Sequence, residues 1–362
     1  LFLILYNMGI NASDIAALRA KTGAGMLDCK KALDEAAGDM DKALTYLKER
    51  GIAKASKKSS RIAAEGLLGI KVADTHASAA IVEINSETDF VAKNDNFISL
   101  VEKTTEQIFS NEVETVEALQ ETSYESGSFS EYFTEETAKI GEKIVIRRFL
   151  TLHAGENGAV NGYIHSNGKV GALVALKCDS VKTAELMAPM LRNVSMHISA
   201  MKPSVLSYTD FDPAFVEAET IGRIEATKKE NEELVRLGKP LKNIPKYISR
   251  LQITDDVIAK ETEQIKEELK AEGKPEKIWD NIIPGKLVRF MSDNTSLDAE
   301  EALLDQMYVI DDSLSVADAI KKEAEKHGGT AEIVQFVKYE VGEGIEKKAC
   351  NLAQEVAEQL GE

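Results

Sequence analysis

A pattern of two strands joined by a turn and followed by a helix occurs twice in this chain, and this recurrence limits the folds available to it. In the first copy, apolar residues dominate 66–72 and 78–84, and small residues form the turn at 74–77. Apolar side chains then recur at helical spacing from Phe97 to Ile108. These periods predict a hairpin packed against a helix.

The second copy begins at Gly162. Two strand-like segments, 162–165 and 171–176, flank Asn167-Gly168, a dipeptide that favours tight hairpin turns. A helix is predicted around 185–197. The recurrence predicts an α+β fold whose core contains two related subdomains, each a strand hairpin with a helix.

Other patterns surround the two copies. Residues 144–150 and 333–339 are each predicted to add one strand to a copy. The Glu- and Lys-rich segment 214–291 has a narrow apolar stripe, which includes Ile221, Ile265 and Leu269, and it breaks at 238–240 and 273–275. This pattern predicts coiled-coil-like helices that pair with one another or with a partner. We expect an N-terminal module at 8–53, a connector at 54–65, core subdomains at 66–150 and at 151–213 with 292–346, a helical insertion at 214–291 and a C-terminal helical module at 347–362.

The N-terminal module is predicted to contain three short helices. Ser13-Asp14 is the expected cap of the first, the second covers 28–36, and Asp39 caps the third, which ends near Gly51. Met26-Leu27 follows a flexible Gly-Ala-Gly turn. Because so small a module has little core, these two apolar side chains are either packing residues or an exposed contact surface.

Composition excludes several classes of protein. A net charge of −17 opposes nonspecific binding to nucleic acid, which depends on clustered Lys and Arg. Cys29, Cys178 and Cys350 lie far apart, as is typical of reduced, structural cysteines. The apolar start of residues 1–7 is too short to cross a membrane, and Met8 is a more convincing protein start. We expect a cytoplasmic protein that binds neither nucleic acid nor membrane directly.

Motifs of enzymes and of cofactor sites are not recognisable in the sequence. The stretch nearest to a phosphate-binding loop, residues 162–170, has one residue too many between its glycines and ends in Val where Ser or Thr is required. The five histidines form no zinc-binding pattern with one another or with the cysteines. We therefore expect no cofactor, no metal site and no covalent chemistry, and the residues that stand out are contact features.

The junction between the first hairpin and its helix carries a bulky side chain. The apolar residues 81–84 lead into a polar turn, Phe90 follows, and Asp95-Asn96 offers capping chemistry for the helix. Spacing alone leaves two interpretations of Phe90, a core residue beneath the helix or a protruding side chain on a rigid mount. The equivalent junction of the second copy, 177–180, contains no aromatic residue, which favours the protruding side chain.

Four stretches of the chain resemble a known family. Residues 22–33, Thr-Gly-Ala-Gly-Met-Leu-Asp-Cys-Lys-Lys-Ala-Leu, and 87–94, Glu-Thr-Asp-Phe-Val-Ala-Lys-Asn, are similar to the two signatures of the elongation factor Ts family. Residues 140–144 and 341–346 are similar to further family stretches in the same order. There are two departures: Leu27 stands where the family usually has a second Met, and the insertion is longer than in short bacterial members.

The resemblance implies a guanine-nucleotide exchange factor for elongation factor Tu, which binds Tu in its GDP-bound and nucleotide-free forms and exchanges GDP for GTP without covalent chemistry. It also implies that the N-terminal module is similar to a ubiquitin-associated domain. Carried over by motif, the residues expected to displace the Mg²⁺ of Tu are Thr88, Asp89, Phe90 and Val91. The residues expected to contact Tu are Met26, Leu27, Asp89, Phe90 and His165.

Two further expectations concern the helical insertion. An alternative function is a scaffold or chaperone-like partner that docks through residues 214–291 and has no exchange activity. The insertion also offers a surface for a homodimer.

Overall fold

The computed structural model describes residues 11–22, 24–57 and 61–346 of the chain. These residues form two compact units. The first unit contains the described chain up to His153, together with Val160–Leu173 and the residues from Val337 onward. The second unit contains Ala154–Ala159 and Val174–Phe336.

Some expectations concern residues outside the described ranges. They are the protein start at Met8 with the preceding residues 1–7, the third cysteine Cys350, and the C-terminal helical module at 347–362. Each of these stays a prediction.

The N-terminal module, in the first unit, contains the three helices expected of it. They are α1 (Ala12–Thr22), α2 (Met26–Glu35) and α3 (Met40–Lys57). Their shared core consists of five buried side chains: Leu18, Cys29, Ala32, Leu33 and Ala43.

Two expected boundaries of these helices were wrong. Ser13-Asp14 does not cap α1; Asn11 caps it, because its Oδ1 accepts the backbone N–H of Asp14 at 2.8 Å and Asn is among the best N-caps. Helix α3 continues past Gly51, since one glycine inside a helix costs only about 1 kcal/mol and Ala and Lys follow it. Asp39 caps α3 as predicted, accepting two backbone N–H groups at 3.1 Å.

The first copy of the hairpin-and-helix pattern is also in the first unit. In chain order its elements are β1 (Glu65–Val72), β2 (Ser78–Ser86), α4 (Asp95–Asn111), α5 (Val116–Glu121), β3 (Ser123–Tyr124), β4 (Gly127–Ser128), α6 (Phe129–Ile140) and β5 (Val145–His153). Strands β1, β2 and β5 form an antiparallel sheet with β2 in the centre, which confirms the strand predicted at 144–150. A Cβ on Gly69 of β1 would lie 2.0 Å from Oγ1 of Thr105, so glycine allows α4 to approach the sheet closely.

The second copy and the segments after it supply the other elements. In chain order these are β6 (Gly158–Ile164), β7 (Val170–Cys178), α7 (Val181–Met201), α8 (Pro213–Arg236), α9 (Asp255–Ala271), α10 (Trp279–Asp293), α11 (Ser296–Glu301), β8 (Met307–Tyr308), β9 (Asp311–Ser315), α12 (Val316–Lys326) and β10 (Ala331–Glu340). The sheet order β10-β7-β6 confirms the strand predicted at 333–339. Helix α7 begins earlier than the helix predicted around 185–197, because Oγ of Ser180 caps it by accepting the backbone N–H of Thr183 at 3.2 Å. The fold is α+β, as predicted.

The helical insertion lies in the second unit. Its helices α8, α9 and α10 are interrupted near the two glycine–lysine–proline breaks, as predicted. Helices α9 and α10 pack against each other, and Nζ of Lys286 lies 2.8 Å from Oε2 of Glu268. Of the expected apolar stripe, Ile265 and Leu269 are buried, but Ile221 is 60% exposed. The buried stripe is therefore narrower than the sequence indicated.

Candidate functional site

The turn between β2 and α4 presents Phe90 to solvent. Its side chain is 79% exposed, so the surface interpretation of this residue is correct and the core interpretation is not. Its backbone is helical (φ −66°, ψ −41°) and leads into a single 3-10 turn over Val91–Lys93. Nζ of Lys93 lies 3.3 Å from Oδ2 of Asp89 and 6.0 Å from the centre of the Phe90 ring. The tip of the turn thus combines an aromatic ring, a carboxylate and an ammonium group.

The C-terminal side of this tip is anchored in the core. Val91 and Ala92 are 9% and 7% exposed, and they belong to the buried cluster that packs beneath α4. Asn94 caps α4 by accepting the backbone N–H of Asn96 at 2.8 Å. The expected cap, Asp95-Asn96, was therefore wrong, because these residues already form the first turn of the helix.

Two carboxylates anchor the N-terminal side of the tip. Oε2 of Glu142 accepts the backbone N–H of Thr88 at 3.0 Å, and Oε1 of Glu142 accepts the Thr88 hydroxyl at 2.7 Å. In the opposite direction, Oε1 of Glu87 accepts the backbone N–H of Lys143 at 2.6 Å. Arg61 completes the pairing of Glu87, with its Nη1 lying 3.1 Å from Oε2. We call Glu87, Thr88, Glu142 and Lys143 the carboxylate clamp.

A second exposed apolar feature lies at the start of α2. Met26 and Leu27 are 60% and 84% exposed, so they are not packing residues of the module core, and their role as a contact surface stays a prediction. They form the first turn of the helix rather than a loop, and Gly25 precedes them in an extended conformation. Cys29 and Leu33 on the same helix are buried in the module core. The helix therefore fixes the position of the exposed pair.

His165 lies in the turn that joins β6 to β7, and its side chain is exposed. Its backbone N–H donates to the carbonyl of Val170, and its carbonyl accepts the N–H of Gly168, both at 2.8 Å. The Tyr163 hydroxyl lies 3.4 Å from Nδ1 of His165. The carbonyl of Gly168 in turn accepts the N–H of Leu68 at 2.8 Å, which ties this turn to β1.

The predicted contact residues thus occupy three separate elements of the first unit. Residues 88–91 are consecutive in the turn after β2, with Phe90 exposed at its tip and Val91 buried beneath it. Met26-Leu27 begins α2, and His165 lies in the second hairpin turn. The role of Glu87 and Glu142 in holding the tip was not predicted from the sequence. Both carboxylates lie in stretches that carry the family resemblance, but their partners are 56 and 54 residues away, and no local pattern could pair them.

Metal-binding and membrane-spanning features are not found in the part of the chain that the structure describes. No group of three or more His, Cys, Asp or Glu side chains there could hold a metal ion. No helix within the same residues combines the length and apolar content needed to cross a bilayer. The features that this part of the chain does offer are exposed apolar side chains held at rigid positions.

Comparison with known proteins assigns the family. The model of the elongation factor Ts family matches residues 87–244 and 242–343, which together span more than half of the chain. The chain belongs to the elongation factor Ts family. Elongation factor Ts of Campylobacter fetus is 53% identical over 98% of this chain and 100% of its own length.

Other elongation factor Ts proteins agree with this assignment. The protein of a Sulfurovum species is 54% identical over 96% of this chain and 98% of its own length. That of Helicobacter pylori is 48% identical over 97% of this chain and 99% of its own length. The chain is therefore a translation elongation factor, and the family predicted from its motifs is confirmed.

Proposed function

We propose that this member of the elongation factor Ts family binds elongation factor Tu in its GDP-bound form and promotes the exchange of GDP for GTP. Asp89 and Phe90, at the tip between β2 and α4, enter the nucleotide site of Tu and displace its Mg²⁺, with Thr88 and Val91 completing the tip. The observation that carries this proposal is the 79% exposure of Phe90 on a turn anchored at both ends. An aromatic side chain held in this way costs little conformational entropy when it binds.

The size of the required effect supports a role for a single aromatic wedge. Tu holds GDP through Mg²⁺ and backbone donors around the phosphates, so displacing these groups weakens GDP binding without covalent chemistry. A hundredfold weakening requires about 2.7 kcal/mol of differential binding free energy, and GDP weakens binding of the exchange factor by the same factor. Burial of one Phe side chain contributes about 1.5–3 kcal/mol. Phe90 and a few supporting contacts are therefore sufficient.

The remaining contacts are assigned to the other exposed features. Met26 and Leu27 contact Tu through the N-terminal module, and His165 contacts it through the second hairpin turn. Because Met26 and Leu27 are 60% and 84% exposed, their burial against a partner would contribute affinity. These residues bind Tu in both nucleotide states, whereas Phe90 distinguishes the states.

Measurement of GDP release tests this function. Tu loaded with a fluorescent GDP analogue is mixed with the protein, and the dissociation rate is followed by stopped flow. The wild-type protein is expected to accelerate release by at least about a hundredfold. Phe90→Ala is expected to reduce the acceleration at least about tenfold and to leave the melting temperature unchanged, because the exposed ring contributes little to the core.

The matched control is Phe215→Ala, which removes a phenylalanine that is 44% exposed on α8. This variant is expected to release GDP at the wild-type rate. Unchanged release with Phe90→Ala would exclude the wedge role, and no acceleration by the wild-type protein would exclude the exchange function itself.

The helical insertion supports a second candidate function, a scaffold without exchange activity. Val235 on α8 and Leu237 just after it are 63% and 59% exposed, as expected of a docking surface for a partner or a second copy of this chain. Deletion of the insertion is a poor test, because Ile248 within it is buried against Phe211 and Leu297. Replacing Val235 and Leu237 by Ser is a more specific test, because both side chains are exposed. Under the scaffold function these changes abolish partner binding or dimerisation, whereas under the exchange function GDP release is unchanged.

A further inference from the structure

We propose that Glu142 and Glu87 are positioning residues for the exchange reaction, because the carboxylate clamp holds the Asp89–Phe90 tip in the orientation that enters the nucleotide site. The inference rests on the proposed function and extends it to two residues that do not belong to the tip. It follows from the hydrogen bonds among the four residues of the carboxylate clamp, all of which lie in the first unit.

Glu142 is placed so that its carboxylate meets the residue just before Asp89. It follows Gly141, which ends α6 in the left-handed conformation (φ +86°), and the helix is fixed by the buried Phe129 at its start. Both carboxylate oxygens of Glu142 accept a hydrogen from Thr88. A carboxylate that uses both oxygens on one residue fixes the backbone and the side chain of that residue together.

Glu87 ties the same two segments in the opposite direction. Its Oε1 accepts the N–H of Lys143 and its Oε2 pairs with Arg61, so both oxygens are occupied. The side chain of Glu87 is only 17% exposed, which reduces competition from water for these bonds. Residues 87 and 88 are thus both joined to the turn after α6, residue 87 through its carboxylate and residue 88 through its backbone N–H and hydroxyl. Two links in opposite directions restrain the end of β2 more than either link alone.

The orientation of the tip depends on the clamp, because apolar packing holds only the residues that follow Phe90. Val91 and Ala92 are buried, but they constrain the chain after Phe90. Before Phe90, the hydroxyl of Ser86 donates to the carbonyl of Thr88 at 2.9 Å, a contact between close neighbours, and the clamp supplies the hydrogen bonds that join residues 87 and 88 to another element. Asp89 itself pairs with Lys93, and because both side chains are exposed this ion pair gives little restraint. A catalytic or displacing group that is misplaced by about 1 Å can lose a large part of its effect.

Glutamate variants with different hydrogen-bonding capacity test the inference. GDP release is measured over a range of protein concentrations, which gives a maximal rate and a half-saturating concentration. Glu142→Ala removes both acceptors and is expected to lower the maximal rate about tenfold, with less than about a threefold change in the half-saturating concentration. Glu142→Gln can keep both bonds, since its amide oxygen accepts the Thr88 N–H and its NH₂ group donates to the Thr88 hydroxyl. It is expected to restore most of the rate.

The matched control is Glu102→Ala, which removes an exposed glutamate from α4 in the same unit. It is expected to behave as the wild type. Glu87→Ala, which removes the second tie, is expected to resemble Glu142→Ala.

A double-mutant cycle separates positioning from a general structural role. If Glu142 acts through Phe90, adding Glu142→Ala to Phe90→Ala is expected to change the release rate by less than about twofold. Independent, multiplicative effects would overturn the inference. So would a Glu142→Ala protein that fails to fold, because positioning predicts a folded protein with a misdirected tip.

Failure of this inference is distinguishable from failure of the proposed function. If the wild-type protein does not accelerate GDP release, the proposed exchange function is excluded. If the wild-type protein accelerates GDP release and the Glu142→Ala variant accelerates it equally, only the role of the clamp is excluded.

Discussion

Individual side chains in this protein are exposed or buried for reasons that become clear only from their partners. Phe90 is exposed although the next two residues, Val91 and Ala92, are buried in the core beneath α4. His197 is the opposite case, an ionisable side chain that is completely buried on α7. Nδ1 of His197 accepts the N–H of Val309 at 3.2 Å, so Nε2 must carry the hydrogen and donates to Oε1 of Gln306 at 2.9 Å.

This geometry makes folding stability depend on pH near neutrality. Burial lowers the pKa of His197 from its ordinary value of 6.5, against an opposing contribution from Gln306. The unfolded chain therefore binds a proton at a higher pH than the folded chain does, and stability is lost as the pH falls below about 6.5 towards the folded-state pKa. We expect His197→Gln to flatten this part of the stability profile in urea unfolding.

The control for this prediction is His153→Gln, which removes a histidine that is exposed at the end of β5. That variant is expected to keep the pH dependence of the wild type. An unchanged profile in His197→Gln would assign the dependence to other groups.

At the scale of elements, the two copies of the hairpin-and-helix pattern differ where strand meets helix. Only Asp179 and Ser180 separate β7 from α7, and Oδ2 of Asp179 accepts the N–H of Thr330 at 3.1 Å. Residues 87–94 separate β2 from α4, and this longer junction contains the exposed tip. The asymmetry shows that the shared fold does not require the tip, as the sequence comparison of the two junctions indicated.

Strand β2 carries a buried charge that holds neighbouring segments together. Glu83 is completely buried, and it accepts hydrogen bonds from Arg147 at 2.9 Å, Arg148 at 2.6 Å, the backbone N–H of Gly342 at 2.8 Å and Asn85 at 3.1 Å. Burial alone would raise the pKa of Glu83, but these bonds together lower it from its ordinary value of 4.5. The carboxylate is therefore charged in the folded protein.

Glu83→Gln is expected to destabilise the protein by about 3 kcal/mol, because the partly buried guanidinium groups of Arg147 and Arg148 lose the charge of a completely buried carboxylate. In the wild type this contribution is present above the ordinary carboxyl pKa and is lost as the pH falls through the lowered folded-state pKa. Urea unfolding at pH 7 and at pH 4 measures both effects. If the variant and the wild type have the same stability at pH 7, Glu83 is not a significant anchor.

Local elements were largely predictable, and their ends were not. Asn167-Gly168 identified the second hairpin, because the preference of this dipeptide for a hairpin turn is intrinsic to its backbone. Gly51 did not end α3, and Asn11 rather than Ser13-Asp14 capped α1, because neighbouring residues of similar propensity compete for these positions. Exposure of Met26-Leu27 could not be decided either, since the same apolar pattern fits a core or a surface.

At the scale of the whole molecule, the contacts that could not be predicted are those between distant parts of the chain. The first unit is completed by residues from Val337 onward. Gly342 reaches Glu83 across 259 residues of sequence, and the Arg148 guanidinium lies 4.2 Å from the centre of the Tyr339 ring. Residue type and spacing carry no information about such pairs, which include those of the carboxylate clamp.

Truncation tests the contribution of these late residues to the first unit. A chain that ends at Thr330 lacks Tyr339 and Gly342, so Glu83 and Arg148 lose partners within the core of the first unit. We expect limited proteolysis to cleave residues 65–153 at least about tenfold faster than in the full chain. A chain that ends at 346 keeps all of these contacts and serves as the control. Equal protection in both chains would contradict the prediction.

The order in which these contacts become available during synthesis differs from one part of the first unit to another. The clamp needs nothing beyond Lys143, so the tip that carries Phe90 can form while most of the chain is still to be made. Glu83 must wait for Gly342. The exposed aromatic tip can therefore form before the first unit is complete. Until the ribosome has added β10 and Gly342, the nascent chain carries a nearly complete recognition element on an incomplete unit.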